Sequence, residues 1–350
     1  MTKPYDYKKA KEKFRITNPK QINLKEISSI ILLAPSKIED FVLVTPAISA
    51  LREAMAPEGK VTIVAWKQVA KLASETMCAD EVLPISLSGL GKTLKVVARQ
   101  VFDLFINFSG NRPLSLAAGS FITAKAKISY SNGEKDKFFN SIYNLPLFTI
   151  STPQHKIVKY LNLVRFIGAN SYDFTPRIRL SNEDKHYAAE FIRKHNVDCE
   201  RPLIGIHPTL KEPKKRWSFK KFHQAIDSLM EKDKATIVLF CHKDEKSQMS
   251  EFMHVTKNKC ILADTNDYLK IAAIFRFLNC FICNETDFMH IAAPFTNVIA
   301  IWGGKEDPEN NRPSGGNHIV LTPSDGIADS VPVSSVLDAV RGIIQRSGAE

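Results

Sequence analysis

The sequence predicts an α/β protein made of two doubly wound, Rossmann-like domains. Three observations carry that expectation. The chain has 350 residues, more than one ordinary domain needs. Short β-rich apolar runs alternate with amphipathic stretches, and the whole series occurs twice. Between the two series lies a polar, proline-bearing stretch at 168–180 that reads as a linker.

In the first series the strands are expected at 27–34, 61–66, 81–85, 104–108 and 127–130, each a short apolar run of strand composition. Amphipathic stretches at 48–56 and 68–77 supply helices between them, and 154–167 is helical as well. Ser181 then caps a helix running to about Asn196. The second series places strands at 203–207, 235–241, 260–263, 280–284, 297–302 and 318–321. Its helices fall at 217–231, 246–256, 267–278 and 286–293, and a last helix at 333–346 is expected to pack back on the first domain. The chain is thereby divided into a basic N-terminal arm (1–25), a first domain (26–175), a second domain (176–330) and a C-terminal helix (331–350). Two such domains in tandem place a ligand cleft between them, at the carboxyl ends of their strands. Functional residues should therefore lie just after strands.

Composition narrows the classes. With 44% hydrophobic and 24% charged residues the chain is globular rather than disordered. No apolar run reaches the roughly 18 residues of a membrane span, and the polar, lysine-rich start lacks the apolar core of a secretory signal. The cytoplasm is the expected compartment. Six cysteines in a chain of this size do not make a disulfide framework. Cys280 and Cys283 bound a short strand and point to opposite faces of it, so they read as core residues rather than a metal or redox pair. The net charge of +11 suits anionic partners, and much of it is local: Lys3, Lys8, Lys9, Lys11, Lys13, Arg15, Lys20 and Lys25 crowd the N-terminus. That arm reads either as a solvated tail or as a contact with an acidic lipid surface. No helix-turn-helix or aromatic-and-basic RNA pattern accompanies the charge, so nucleic acid is not expected.

Three strand-end constellations carry chemistry. The first follows 27–34: Ser36-Lys37-Ile38-Glu39-Asp40, then Thr45-Pro46 and Leu51-Arg52. Thr45 and Pro46 are either N-cap and first helical residue or a proline bend inside a helix that starts earlier. Asp40 stands where a carboxylate can take a proton from a sugar hydroxyl, or where it can simply cap a helix. The second follows 203–207: His207-Pro208-Thr209, then Lys211, Lys214, Lys215, Arg216 and Trp217-Ser218. Its cations read as a diphosphate clamp or as a solvated loop, and Trp217 can anchor the loop against the fold. The third is Asn284-Glu285-Thr286-Asp287-Phe288-Met289-His290, where a strand ends and a helix begins, followed by Gly303-Gly304 after the next strand. A helix start offers free amides and partial positive charge to a phosphate.

Together and in this order these motifs resemble glycosyltransferase family 9, the ADP-heptose:lipopolysaccharide heptosyltransferases. The family's Gly-Asp, four residues, Thr-Pro and Leu-Arg are matched by Glu39-Asp40, Thr45-Pro46 and Leu51-Arg52. Its basic residue two before a Trp is matched by Lys215-Arg216-Trp217, with Phe219 and Phe222 following. Its Asp-Thr-Gly-x-x-His-x-Ala-Ala is matched by Glu285-Thr286-Asp287-Phe288-Met289-His290-Ile291-Ala292-Ala293, with Gly303 and Pro308 beyond. The resemblance implies a GT-B fold, two Rossmann-like domains facing across a cleft. It implies inverting, metal-independent transfer of a heptose from a nucleotide-sugar, ADP-heptose, to the lipopolysaccharide core. No other cofactor is implied, and the chain contains no Asp-x-Asp pair of the kind that holds a metal in other glycosyltransferases.

By the same resemblance Asp40 is the base, with Lys37 and Glu39 beside it on the acceptor side. Thr209, Lys215, Arg216, Glu285, Thr286, Asp287, Phe288, His290 and Gly303 lie at the donor, Lys215 and the amides of 286–288 meeting its diphosphate; His290 is expected to brace the helix rather than touch the sugar. An acceptor built into a membrane lipid would suit peripheral contact with the inner face of the inner membrane. Two departures stand out. Glu39 replaces the family's glycine, and Asp287 replaces the glycine whose amide approaches the phosphate. An unscreened carboxylate at 287 would oppose a diphosphate by about 1 kcal/mol or more, unless it turns away to stabilise the helix start. The alternative to an active enzyme is a degenerate binding protein that keeps the fold without transfer.

Overall fold

A computed structural model of the chain describes residues 18–75, 79–86, 88–110, 113–131, 142–145, 148–149, 154–210, 212–256 and 259–347. Residues 1–17 of the basic arm and Lys211 of the second constellation lie outside the described residues. The chain forms two compact units, Met1–Arg177 and Ile178–Glu350. The division falls within the expected linker, where 169–181 carry no helix or strand.

Among the described residues the first unit has six strands: β1 (Ser29–Leu33), β2 (Lys60–Trp66), β3 (Glu81–Ile85), β4 (Val101–Asn107), β5 (Thr123–Ser131) and β6 (Phe148–Thr149). They lie in the order β3-β2-β1-β4-β5-β6, and every neighbouring pair is parallel. Its helices are α1 (Ile38–Ala54), α2 (Lys67–Ser74), α3 (Leu90–Val97), α4 (Pro113–Phe121) and α5 (Lys156–Arg165). A parallel sheet covered on both faces needs strands that are apolar on both faces, and Ile30–Leu33 of β1 are essentially inaccessible to solvent. β4 starts three residues before the apolar run that marked it. The reason is Asp103, whose carboxylate accepts the backbone amides of Ser28 (2.9 Å) and Ser29 (3.0 Å) and pairs with Lys125 at 2.6 Å. A charge inside a strand is tolerable when it is satisfied this fully.

The Thr-Pro pair sits in the middle of α1, so the second of its two readings holds. Pro46 has no amide hydrogen and would orphan the carbonyl of Val42, four residues back. Thr45 repairs the loss: its hydroxyl donates to Val42 O at 2.7 Å and accepts the amide of Arg177 at 2.9 Å.

The second unit repeats the plan with β7 (Leu203–His207), β8 (Thr236–Leu239), β9 (Ile261–Leu262), β10 (Cys280–Asn284), β11 (Asn297–Ile301) and β12 (Ile319–Leu321). Read from the far edge the order is β9-β8-β7-β10-β11-β12, again all parallel. Both sheets therefore have the doubly wound order in which the chain reverses direction between the first and fourth strands, and a crevice opens at that switch point. The helices are α6 (Asn182–Lys194), α7 (Phe219–Glu231), α8 (Lys246–Val255), α9 (Tyr268–Phe275), α10 (Asp287–Ala292) and α11 (Val333–Ser347). Ser181 caps α6 in a reciprocal capping box with Asp184. The C-terminal helix α11, expected to pack back on the first domain, sets Val336, Val340 and Ile343 into the second unit's core beside Trp217, Ile282 and Ile299. Arg341 ties it to Asp233 through two 3.0 Å bonds. Cys280 and Cys283 are fully buried, and burial pushes the Cys280 thiol up to about 12. Among the described residues no helix is long and apolar enough to cross a membrane.

Replacing Thr45 with Val leaves the buried Val42 carbonyl without its donor. Denaturant unfolding should show a loss of about 1–3 kcal/mol, most of it recovered in Thr45→Ser.

Candidate active site

In the second unit the switch point lies between β7 and β10, whose register sets Cys283 beside His207. The two strands are locked at their ends by Asn284, which is fully buried. Its side-chain oxygen accepts the amide of Trp217 at 2.9 Å, and its nitrogen donates to Pro208 O at 3.3 Å. Trp217 is buried as expected of an anchor: its indole N–H bonds Val331 O at 2.9 Å and its ring meets Phe222 edge-on.

That anchor delivers Lys215, the last residue of a short 3-10 turn (Pro213–Lys215), to the crevice. Gly303 makes the approach feasible, since a Cβ there would lie 2.8 Å from the Lys215 Cα. Lys215 Nζ stands 3.6 Å from Glu285 and 3.9 Å from Glu212. Burial raises the Glu285 carboxyl above its ordinary range, and Lys215 opposes the rise. Arg216 lays its guanidinium over the Phe219 ring at 5.0 Å.

Asp287 does not stand as a bare charge. Its Oδ1 is 2.8 Å from His242 Nε2 and accepts the amide of Phe288 at 3.0 Å. Its Oδ2 is 3.4 Å from the Tyr268 hydroxyl, which donates to it. Burial alone would push the Asp287 carboxyl up and the His242 imidazole down, but their contact wins in both: Asp287 lies below its ordinary range and His242 above. The His242 ring also stacks on Phe288, centroids 4.2 Å apart and planes 15° apart. Phe288 is buried, so its side chain belongs to this stack.

Behind the pair lies a second network. His207 Nε2 is 2.9 Å from Glu245 Oε2, and the Thr209 hydroxyl donates to the same oxygen at 2.7 Å. The amide of His242 reaches that oxygen too, at 3.0 Å, and His207 Nδ1 stands 3.3 Å from the Thr286 hydroxyl. Burial pulls the fully buried His207 imidazole below its ordinary range, and Glu245 opposes that shift. Glu245 is driven up by burial but held at about 2 by these hydrogen bonds. Thr209, expected at the donor, is itself fully buried and commits its hydroxyl to Glu245, so it acts on the crevice only through this network. His290 is also buried, in α10. His207, His242 and Glu245 hold potential metal-ligating atoms within 4.8 Å of one another. Their ring nitrogens and the shared Glu245 oxygen are already engaged by Thr286, Thr209, Asp287 and backbone amides, which is the chemistry of a satisfied hydrogen-bond network.

In the first unit Asp40 occupies the first turn of α1, where an acidic residue suits the helix dipole. Its carboxylate meets Lys156 Nζ at 2.8 Å, from the first turn of α5. Lys37 and Glu39 pair with each other at 3.3 Å. Sequence reasoning passed over His242, Glu245, Tyr268 and Lys156. The first two directly follow β8, so the strand-end rule that located the other sites reaches them too.

A family model described as glycosyltransferase family 9 (heptosyltransferase) matches residues 90–327. Three solved structures share the fold. The glycosyl transferase family 9 protein from Veillonella parvula DSM 2008 aligns with a TM-score of 0.83 at 20% identity, over 93% of this chain and 99% of that one. E. coli ADP-heptose lps heptosyltransferase II aligns at 0.76 and 16% identity, over 91% and 99%. E. coli heptosyltransferase WaaC with ADP aligns at 0.72 and 14%, over 90% and 99%. Comparison of the sequence with curated proteins gives no match.

The His242–Asp287 pair has a pH signature. A raised imidazole contributes its full stability below the unfolded value near 6.5 and loses it as pH rises through the folded value. A depressed carboxyl contributes above its unfolded value near 3.8 and loses it as pH falls through the folded one. The stability gap between the parent and Asp287→Asn, measured by denaturant unfolding, should therefore be widest between about pH 4 and 6.5 and narrow on either side.

Proposed function

The chain belongs to glycosyltransferase family 9, the heptosyltransferases, and on that premise we propose that it is an active, inverting enzyme. It moves a heptose or a closely related sugar from ADP-heptose to the phosphorylated inner core of lipopolysaccharide, with no metal. The observation that carries this reading is Lys215, held by Trp217 and Gly303 beside Glu285 at the switch point of the second sheet. A fixed ammonium there offsets the negative charge that grows on a departing nucleoside diphosphate, the task a metal performs in other transferases. ADP in the WaaC structure of the same fold supports an adenine nucleotide as the donor's leaving group.

In this mechanism Asp40 takes the proton from an acceptor hydroxyl. The oxygen so freed attacks the anomeric carbon from the face opposite the leaving group, and the bond to the diphosphate breaks. Inversion follows from that geometry. Arg216 and the amides at 286–287 assist Lys215 with the diphosphate. The Phe288 amide is already given to Asp287 Oδ1, so it is a weaker candidate. His242 supplies the counter-charge that lets an aspartate occupy a position held by glycine in the family pattern. The net charge of +11 and the lysine-rich start of the chain favour a phosphorylated acceptor and a peripheral position at the inner face of the inner membrane.

The test is turnover with ADP-heptose and a lipopolysaccharide-core acceptor. The parent should transfer, and Asp40→Ala should lose about two to four orders of magnitude in kcat. Undiminished activity in that variant removes Asp40 from the role of base. A parent that binds ADP without transferring is the degenerate binding protein.

A further inference from the structure

The ion pair between Asp40 and Lys156 joins two helix starts 116 positions apart in sequence. Lys156 Nζ touches Oδ1 of Asp40, and the carboxylate side chain is only 15% exposed against 37% for the lysine. A pair so placed is screened less than one on an open surface. Its geometry is prepared from both ends. His155 caps α5 by accepting the amide of Ile157 at 3.2 Å, which fixes where the first turn begins and hence where Lys156 points. On the other side Thr45 keeps α1 intact across Pro46.

Two further charges lie close to this contact. The adjacent carboxylate, Glu39, is turned to Lys37 at 3.3 Å. One turn along α5, Lys159 is partly buried; burial makes its ammonium more acidic, the Asp40 charge counters that effect, and the Lys156 charge adds to it. Asp40 thus lies within the electrostatic reach of two lysines of one helix, and Lys156 is the one it meets at hydrogen-bond distance, 2.8 Å.

We propose that Lys156 is a positioning residue for the transfer reaction: it holds Oδ1 of Asp40 so that Oδ2 is the oxygen presented to the acceptor hydroxyl. This rests on the reading of Asp40 as the base. In the step itself the hydroxyl proton passes to Asp40 Oδ2, the hydroxyl oxygen forms the new bond to the anomeric carbon, and the electron pair of the breaking bond leaves with the nucleoside diphosphate. Lys156 cannot itself take that proton, since an ammonium has no acceptor site. Its contribution is the fixed rotamer of the carboxylate, and misplacement of a reacting group by about 1 Å is enough to cost on the order of a hundredfold.

The experiment measures kcat and KM with ADP-heptose and core acceptor for Lys156→Met, Lys156→Gln and Lys156→Arg, alongside Asp40→Ala. Thermal melts of each verify folding. Lys156→Met should lower kcat by about tenfold or more with the donor KM within about twofold of the parent. Lys156→Arg, which keeps a charged donor, should recover most of the rate. Lys156→Gln, which keeps a neutral donor, should fall between them and stands in if the Met variant fails to fold. The proposal is overturned if the Met or Gln variant keeps the parental kcat. It is overturned equally if kcat falls only together with the melting temperature, or if Arg rescues no better than Met. Full activity in Asp40→Ala instead defeats the reading of Asp40. An inactive Asp40→Ala beside a fully active Lys156→Met defeats this inference alone.

Discussion

The parallel pairing of β7 with β10 is the constraint from which the second unit's site follows. Cys283 lies beside His207 in that register, so the two strands stop within a residue of each other while their chains leave in different directions. Asn284 closes the gap with one bond to each side of the loop that β7 feeds. Lys215 comes from that loop, Glu285 through Asp287 from the turn into α10, and Gly303 from the end of β11. Lys215 and Gly303, 88 positions apart, are neighbours because the backbone ladder makes them so.

Three largely buried carboxylates, Glu245, Glu285 and Asp287, lie at that junction, an unpromising inventory for an anionic donor, and each is handled differently. Glu245 remains ionised but spends its charge on His207, Thr209 and a backbone amide. Asp287 is matched by His242 and held by Tyr268. Glu285 is shifted toward its neutral form by burial and has Lys215 nearby. None of the three faces the crevice as an isolated negative charge. The same logic governs the first unit, where Asp40 and Glu39 each have a lysine.

Much of this was readable in the sequence. The two series of apolar runs located eleven of the twelve strands among the described residues, because parallel strands buried on both faces are apolar throughout. β6, two residues long, carries too little pattern to be seen. The strand-end rule and the order of the motifs singled out Asp40, Lys215 and Glu285–Asp287, which the structure sets in the first turn of α1, in the 3-10 turn after β7 and at the entry to α10. What the sequence left open was decided by contacts between distant residues. Whether Thr45-Pro46 starts a helix or bends one depends on who satisfies the Val42 carbonyl. Where Asp287 points depends on His242, which lies 45 positions away and has no motif of its own. Thr209 looked like a ligand contact from its place after β7, and its neighbour in space, Glu245, takes it out of reach.

The pairing of His242 with Asp287 carries the proposal that the crevice stays open to a diphosphate. Calorimetric titration with ADP tests it most directly. The parent should bind, and His242→Ala should bind about five- to tenfold more weakly, because an uncompensated carboxylate near the phosphates costs on the order of 1 kcal/mol. Removing that carboxylate as well, in His242→Ala/Asp287→Gly, should restore the affinity. Equal binding by the parent and His242→Ala, or no recovery in the double variant, would contradict the account.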